Sequence, residues 1–593
     1  GIVDWRNGPI AALYFNYKQD EEFYEVINDL ERSGKIKLRR SFKVENGHLV
    51  QIDSPEGIFR RTETGWEKLD ADSEIAAHRS RGIHAKEKSL PSILSLITKD
   101  QFEMITTDPE CPVIIQGSAG SGKTTVALHR LAWLLHENNS TVKSENTRVI
   151  VMNKSLAVYV SATLPSMGID DVQTTTFNSW ALSIIRKSMR TQPFFKFLTI
   201  PSFVEEIKFS EEILKALDGL VDKQGKALDE EIKKEFSSRT AHLEGWAKGK
   251  GKPVLPRLRD FRHEVKNSKL PEAEKQQKLG FVKKQIANQE DYLQDLYNLL
   301  SDTEHLKKYL KRDAKLVSNL EYLKRLTDKN RLKKNLDYFD MSLVLRFIQI
   351  KNGGLPDGDG GTVLLDHIVI DEAQDFGPVE FAIMMDAVRD KHQITIVGDV
   401  AQKILFARKF IGWKKVVEYL GLDEDSIIQL EVSFRCTVPI MTLAYKVAGD
   451  PKTVEGRAGP APEWKKVDNF VDLTEALADW SRGLLRADPY KLVALICRYP
   501  KQAMELKEEM ENYLPGEVRL GHRDQFSFEP GVLVTNIHQV KGLEFDSVAL
   551  VEPDEENYPE KREESRNMIY VGITRTQEDL LLATIRPYSS VLF

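Results

Sequence analysis

The chain has 593 residues, 41% of them hydrophobic and 29% charged, which is too long for a single core and typical of a globular protein with several structural units. Its formal net charge of −6 is not that of a strongly basic nucleic-acid binder, although a local basic groove would be compatible with it. Cys111, Cys436 and Cys497 are widely spaced, which excludes a disulfide scaffold and a cysteine-based zinc site. This use of cysteine predicts a reducing cytoplasm, and because no apolar run is long enough to span a bilayer we expect no membrane partner.

The first part of the chain predicts a small β-rich domain followed by an α/β lobe. Residues 1–97 alternate short β-like runs, such as GHLVQI and GIFRRTETGWEKL, with turns, which indicates a β-rich accessory domain. Residues 98–190 alternate strands (VIIQ, RVIVMNKS, VQTTTF) with helical stretches, as in a parallel α/β lobe. We expect this lobe to be interrupted at residue 191 and to resume over 362–440.

The interruption, residues 191–361, is predicted to be helical and rich in charge. Leucines recur there every three or four residues: Leu306, Leu310, Leu320 and Leu323. Basic residues lie between them: Lys307, Lys308, Lys311, Arg312, Lys324, Arg325, Lys333 and Lys334. This pattern predicts antiparallel helices that project from the lobe. Their basic face either contacts phosphates or a partner protein, or is a solvated helical surface, and the residues favour neither reading.

The last part of the chain, residues 441–593, predicts a second α/β lobe. Its strands are the apolar runs KLVALICR, GVLVTNI, DSVALV and DLLLATI. The fold class expected from the residues is therefore α/β, with a helical insertion in the first lobe and a β-rich N-terminal domain.

A phosphate-binding loop is predicted between the strand CPVIIQ and the helix KTTVALHRLAWLL. The pattern G-x-x-x-x-G-K-T runs from Gly117 to Thr124 in the strand-to-helix context that it requires. Backbone N–H groups of such a loop converge on phosphate oxygens, Lys123 would reach the β- and γ-phosphates, and Thr124 would bind Mg²⁺. The residues expected to bind the nucleotide here are Gly117, Gly120, Gly122, Lys123, Thr124 and Thr125.

A second acidic site, DHIVIDEAQDF at residues 366–376, indicates hydrolysis rather than transfer of the phosphate. Asp371 follows an apolar strand, where it would hold Mg²⁺ together with Thr124. Glu372 lies beside it and would polarise the attacking water. A kinase would not benefit from that base, because it transfers the phosphate to a substrate rather than to water.

With these two motifs the chain resembles superfamily 1 helicases of the UvrD/Rep type, and the remaining motifs follow in family order. They are ITKDQFEMI, TTTFNSW, VGDVAQKI, VSFRCTVPI, TNIHQVKGLEFDSVALV and YVGITRT. The resemblance implies two RecA-like lobes around ATP and Mg²⁺. Hydrolysis would then require closure of the cleft between the lobes.

The resemblance also implies a role for single residues around the nucleotide. Gln101 takes the position of the adenine-reading glutamine, and Gln402 that of the γ-phosphate sensor. Phe434 takes the position of the aromatic residue that stacks on adenine, and Glu544 that of the nucleotide-coupling residue in motif V. Two arginines from far along the chain, Arg435 and Arg575, take the positions that clamp the phosphates.

Contacts with a single strand are expected from aromatic, polar and basic side chains in the matching motifs. The candidates are Phe177, Asn178, Trp413, His538 and Lys541. A Phe or Trp at such a place belongs to a core about as often as to a base-stacking platform.

Two segments resemble the HelD branch of this family more closely. They are VDWRNGPIAALYF at residues 3–15 and GKTTVALHRLAWLL after the loop glycines. An enlarged insertion in the first lobe and a reduced one in the second also fit that branch. Its members bind RNA polymerase, and their N-terminal coiled coil would precede residue 1 and is absent from this chain.

Two functions follow as expectations. The first is an ATP-driven motor that moves 3′ to 5′ on single-stranded nucleic acid, DNA rather than RNA, as a monomer. The second is an RNA polymerase recycling factor in transcription that uses ATP as a conformational switch without unwinding DNA. A nuclease partner in defence or repair is a weaker third reading, because no separate nuclease carboxylate cluster is visible.

Overall fold

The structure is a computed structural model, and its description covers the greater part of the chain. The described residues are 13–14, 17, 19–27, 30–45, 48–54, 57–62, 65–69, 99–117, 121–189, 193–196, 198, 200–310, 314–333, 335–358, 360–399, 412–430, 436–449, 453–454, 457–522 and 526–593.

The described part of the N-terminal region forms antiparallel strands. They are β1 (Glu22–Ile27), β2 (Leu30–Lys35), β3 (Ser41–Glu45), β4 (His48–Ser54), β5 (Gly57–Thr62) and β6 (Gly65–Leu69). The first two form a hairpin, and β3 to β6 form a four-stranded meander. The predicted β-rich N-terminal region is therefore present.

The first lobe begins with alternating helices and strands. They are α1 (Lys99–Ile105), β7 (Val113–Gly117), α2 (Lys123–Leu134), β8 (Thr147–Val151), α3 (Lys154–Thr163), β9 (Gln173–Thr176) and α4 (Phe177–Ser188). Asn153 and Thr176 cap α3 and α4, because their side-chain oxygens accept the N–H groups of Leu156 and Ser179. The strands β7 and β8 are buried on both faces, as expected for a parallel sheet covered by helices.

The insertion is helical along most of its length. Its elements are β10 (Phe195–Lys196), α5 (Ser202–Lys208), α6 (Glu211–Glu235), α7 (Thr240–Lys248), α8 (Val254–Lys266), α9 (Glu272–Gln289), α10 (Tyr292–Ser301), α11 (Thr303–Leu310), α12 (Ala314–Ser318), α13 (Leu320–Lys333), β11 (Leu336–Asp337), α14 (Asp340–Asn352), β12 (Leu355–Pro356) and β13 (Thr362–Val363). The four leucines predicted at helical spacing are buried. They belong to one hydrophobic cluster with Ile114 and Ile150 of the first lobe, so the insertion and the lobe share a core.

The first lobe then resumes and completes its sheet. The elements are β14 (His367–Ile370), α15 (Pro378–Met385), β15 (Ile394–Gly398), α16 (Trp413–Leu420) and β16 (Ile427–Leu430). All strands are parallel in the order β16-β7-β15-β14-β8-β9. The carboxyl ends of β7, β14 and β15 therefore meet at one edge, where open α/β sheets bind their ligands.

The second lobe repeats this architecture. Its elements are α17 (Val438–Ala448), β17 (Glu463–Lys466), α18 (Phe470–Ala487), β18 (Leu492–Cys497), α19 (Pro500–Met510), β19 (Val518–Leu520), β20 (Gly531–Asn536), β21 (Phe545–Val551), α20 (Glu563–Ile573) and β22 (Thr576–Thr584). Its parallel strands lie in the order β17-β22-β21-β18-β20-β19. The predicted fold class, α/β with two lobes, a helical insertion and a β-rich N-terminal region, is confirmed.

The two lobes contact each other through apolar and polar groups. One hydrophobic cluster contains Val113 and Leu131 of the first lobe and Val548 and Ile569 of the second. The carboxyl edges of the two sheets thus lie close enough for side chains of both lobes to meet. Among the described residues, no helix is both long and apolar enough to cross a membrane.

Candidate nucleotide site between the two lobes

The predicted phosphate loop connects β7 to α2, and its backbone requires glycine at two described positions. A Cβ atom at Gly117 would lie 2.6 Å from the carbonyl oxygen of Leu430 and 2.6 Å from Oγ of Ser121. Gly122 has a φ of 84°, in the left-handed region that L-residues rarely adopt. Because α2 begins at the next residue, its first N–H groups and its positive dipole end face the loop.

Two side chains at the start of α2 have defined partners. Nζ of Lys123 donates a hydrogen bond of 2.7 Å to the carbonyl oxygen of Gly117, and the side chain is buried. Oγ1 of Thr124 donates to Oδ2 of Asp371 at 2.9 Å, across 247 positions of sequence. Thr125 contributes its carbonyl oxygen, which contacts Nδ1 of His129 at 2.8 Å. The fold thus brings the predicted metal pair, Thr124 and Asp371, together.

The oxygens of Thr124 and Asp371 fit a hard divalent cation such as Mg²⁺. Burial and the adjacent carboxylate of Glu372 raise the pKa of Asp371 to about 7, and two neighbouring buried carboxylates favour a bound cation. Among the described residues, no three His, Cys, Asp or Glu side chains converge to form a complete protein site. Mg²⁺ beside a nucleotide takes one or two protein ligands together with phosphates and waters.

Glu372 is held in an unusual backbone conformation by its neighbours. Its φ of 55° lies in the left-handed region, and its N–H donates to Oδ1 of Asp371 at 2.8 Å. Its Oε2 accepts a hydrogen bond of 2.6 Å from Nε2 of Gln374 and lies 3.5 Å from Nζ of Lys541. Burial alone would raise the pKa of Glu372, but the charges of Lys541, Lys123 and Arg575 hold it below its ordinary value. A carboxylate kept ionised beside the phosphate loop is suited to act as a base.

The predicted adenine-reading residue lies on α1, next to the loop. Nε2 of Gln101 donates to the carbonyl oxygen of Ser121 at 3.4 Å. The fully buried guanidinium of Arg130, on α2, holds the end of α1 and the turn after it. It donates to the carbonyl oxygens of Met104, Ile105, Thr107, Asp108 and Cys111. Arg130 therefore satisfies carbonyl groups that the end of α1 leaves unpaired, and it positions the helix that carries Gln101.

Two predicted residues of the second lobe have defined surroundings, and one of them, Arg575, lies near Glu372. Arg575 is buried, and it donates to the carbonyl oxygens of Val571 and Leu543, each at 3.1 Å. Its charge is close enough to lower the pKa of Glu372. Oε2 of Glu544 accepts a hydrogen bond of 3.0 Å from Nε2 of Gln577, beside this arginine in the sequence.

A polar contact between the lobes is centred on Lys541. Its Nζ forms a buried ion pair with Asp375, and its carbonyl oxygen accepts a hydrogen bond of 3.1 Å from Nδ2 of Asn153. Nearby, Oγ of Ser155 donates to Oε1 of Gln539 at 3.0 Å. Asn153, Ser155 and Asp375 belong to the first lobe, so motif V of the second lobe contacts both α3 and the acidic motif.

Three of the residues expected to contact nucleic acid are buried, and their contact with nucleic acid stays a prediction. The ring of Phe177 packs in the core against Trp180 and Phe376. Trp413 lies at the start of α16, with its ring against Gly398 at the end of β15. Lys541 is fully buried in the ion pair described above. In each case a neighbouring element packs against the side chain.

The other two nucleic-acid candidates are partly accessible. Asn178 is half-buried in the first turn of α4. His538 is half-buried, and its Nε2 lies 3.2 Å from Nη1 of Arg498. Burial and the charge of Arg498 lower the pKa of His538 to about 4, so the imidazole is neutral at pH 7. Four further site predictions, Gly120, Gln402, Phe434 and Arg435, lie outside the described residues.

Sequence reasoning missed several polar side chains of this site. Gln374, Asp375 and Arg130 are fully buried and hydrogen-bonded. The sequence showed Gln374 and Asp375 as part of the DEAQD motif without a role of their own. It showed Arg130 as a basic residue inside an apolar helix. That position was the available signal for Arg130, because a charged residue on a helix face that is otherwise apolar requires buried partners.

Comparison with protein families gives two matches. The UvrD/REP helicase N-terminal domain matches residues 97–408, which is more than half of the 593 residues, and the UvrD-like helicase C-terminal domain matches residues 490–587. No curated protein matches the sequence significantly. Among solved structures, the C-terminal domain of a possible DNA helicase from Lactobacillus plantarum WCFS1 is similar at 23% identity and a TM-score of 0.24, over 27% of this chain and 92% of that one.

Proposed function

The chain belongs to the UvrD/REP helicase family, and from this premise we propose that it is a monomeric ATPase that moves 3′ to 5′ along single-stranded DNA or remodels nucleic-acid–protein complexes. Family membership supports an ATP-dependent, superfamily 1 helicase-like function. The direction of movement, the preference for DNA and the site residues below are part of the proposal.

The residues of the first lobe supply the hydrolytic chemistry. Lys123 binds the β- and γ-phosphates, and Gln101 binds the adenine edge next to the loop. Thr124 and Asp371 hold Mg²⁺, which when bound neutralises charge on the phosphate oxygens. Glu372 orients the attacking water and takes its proton. Gly117 and Gly122 allow the backbone N–H groups to approach the phosphates.

The observation that carries the proposal is the meeting of charges from two lobes at Glu372. Lys123 belongs to the first lobe, whereas Lys541 and Arg575 belong to the second, and all three lower the pKa of this one carboxylate. Closure therefore brings positive charge of the second lobe to this buried carboxylate and offsets the effect of its burial. Hydrolysis that depends on closure is what a motor needs to convert ATP turnover into movement.

The test is the steady-state ATPase rate without effector, with single-stranded DNA, with RNA and with core RNA polymerase. We expect single-stranded DNA to stimulate the rate many-fold, and Lys123→Ala and Glu372→Gln to abolish it. Lys143→Ala, at an exposed lysine of the same lobe, is the matched control and should keep the parental rate. An unstimulated rate, or hydrolysis that survives Lys123→Ala, would refute the proposal.

A second function, RNA polymerase recycling as in the HelD branch, is favoured by the distribution of the insertions. The first lobe carries nine helices between Ser202 and Lys333, counted over the described residues. In the described part of the second lobe, the strands between α17 and β20 all belong to the six-stranded sheet. Co-purification with core RNA polymerase, together with an ATPase rate indifferent to DNA, would support this function over the motor. Absence of polymerase binding would exclude it.

A further inference from the structure

Gln374 joins the catalytic carboxylate to the end of a neighbouring strand. Its side chain is fully buried, with Nε2 donating to Oε2 of Glu372 at 2.6 Å and Oε1 accepting the N–H of Asp399 at 2.8 Å. Asp399 directly follows β15 and belongs to the segment VGDVAQKI, which resembles motif III. The amide of Gln374 therefore makes two hydrogen bonds, one to Glu372 and one to the backbone of a residue close in sequence to Gln402, the predicted γ-phosphate sensor.

The side chain of Gln374 lies close to the end of β15. A Cβ atom at Gly398 would lie 2.6 Å from Oε1 of Gln374 and 3.2 Å from the ring of Trp413. Glycine is thus required at 398 so that the amide and the indole can both approach the strand. Trp413, which was expected to stack on bases, instead packs beside the contact between Gln374 and Asp399.

The two donors on Glu372 reach the same oxygen. Nε2 of Gln374 and Nζ of Lys541 both approach Oε2, and among the described residues no hydrogen-bond donor reaches Oε1. Two donors on one oxygen fix the plane of the carboxylate and leave the other oxygen to accept a proton.

We propose that Gln374 is a positioning residue that holds Oε2 of Glu372. Oε1 is then the atom that takes the proton of the attacking water. Because Gln374 also binds the N–H of Asp399, the orientation of the Glu372 carboxylate depends on the position of the Asp399 backbone. This inference rests on the proposed ATPase function. In the reaction the water oxygen bonds to the γ-phosphorus as its proton passes to Oε1. The bond from the γ-phosphorus to the bridging oxygen breaks, which leaves ADP and phosphate.

The test compares two substitutions that remove different parts of the contact. Gln374→Met keeps the length of the side chain and removes both hydrogen bonds. Gln374→Glu keeps the acceptor for Asp399 and replaces the donor to Glu372 by a carboxylate. We expect both variants to lower kcat for ATP hydrolysis by about 10- to 100-fold. The Kd for ATP should change by less than about threefold, because Lys123 and the loop glycines are untouched.

A double substitution shows whether Gln374 acts through the base. If it does, Gln374→Met adds no further loss of kcat to Glu372→Asp, a variant that keeps a carboxylate and a measurable rate but shortens the side chain that Gln374 contacts. Gln349→Met is the matched control, because Gln349 is also buried and makes two hydrogen bonds but lies on α14, away from the site. This control should keep kcat within about twofold.

Several outcomes would overturn the inference. One is a kcat of Gln374→Met and Gln374→Glu within twofold of the parent, while Glu372→Gln is inactive. Another is a double variant whose kcat falls by the product of the two single reductions, which would indicate a general structural role. If Gln374→Met does not fold, Gln374→Glu carries the same comparison. Hydrolysis that persists in Glu372→Gln would instead refute the proposed function.

Discussion

Replacing Lys541 by Met should separate its role in lobe closure from the nucleic-acid contact that its motif suggests. The side chain is fully buried and pairs with Asp375 and Glu372 of the other lobe. Without it, closure would bury the carboxylate of Asp375 without this ion pair. The motif-based alternative predicts weaker DNA binding and an unchanged basal ATPase rate.

The size of the effect can be worked out from the contacts. At the 3.5 Å that separates Nζ of Lys541 from Oε2 of Glu372, Coulomb attraction amounts to about 5 kcal/mol at an effective dielectric constant near 20. Desolvation offsets part of this, and loss of one partner from a buried pair costs about 3–5 kcal/mol in measured cases. If that cost falls on closure, 3 kcal/mol corresponds to a loss of roughly 100-fold in kcat/KM.

The assay is kcat/KM for ATP without effector, measured for Lys541→Met, Asp375→Asn and the double variant. Because Asp375→Asn removes the buried charge that Lys541 neutralises, the double variant should be at least tenfold faster than Lys541→Met alone. Lys501→Met is the control, since the side chain of Lys501 is 84% exposed, and it should change kcat/KM by less than twofold. A double variant as slow as the product of the two single effects, or a normal basal rate in Lys541→Met, would refute the reasoning.

Three further predictions concern buried side chains. Phe177→Ala should lower the free energy of unfolding of the first lobe by about 3–5 kcal/mol, because the ring packs against Phe376, and Phe177→Leu should lower it by less. If Phe177 stacks on bases instead, the substitutions should lower DNA affinity and leave stability unchanged. Arg130→Met should raise KM for ATP more than it lowers kcat, because α1 with Gln101 loses its anchor; equal effects on both constants would contradict this. Burial and the charge of Arg130 lower the pKa of His367 to about 3, so between about pH 6.5 and 3 only the unfolded chain takes up this proton. Stability should therefore fall by up to about 1.4 kcal/mol per pH unit below 6.5, and His367→Gln should remove that part of the slope in unfolding measured between pH 7.5 and 5.5.

The local parts of the site could be predicted from the sequence because they depend on short stretches of chain. The strand, loop and helix around Gly117 and Lys123 lie within about twenty residues, and the acidic pair 371–372 directly follows its strand. Such patterns determine backbone geometry nearby, and with it the phosphate loop and the class of fold. Parallel strands with helices between them then place the carboxyl ends of the strands on one edge, so the meeting of Thr124 with Asp371 was also predictable.

Only the tertiary structure decided which side chains are buried and what they contact. Phe177, Trp413 and Lys541 belong to motifs associated with nucleic acid, yet elements distant in the sequence pack over each of them. Asp375 lies 166 positions from Lys541, and no local pattern indicates that the two meet across the cleft. Whether a polar or aromatic side chain faces a ligand or a core depends on what packs against it, and packing is set by the arrangement of whole elements rather than by spacing along the chain.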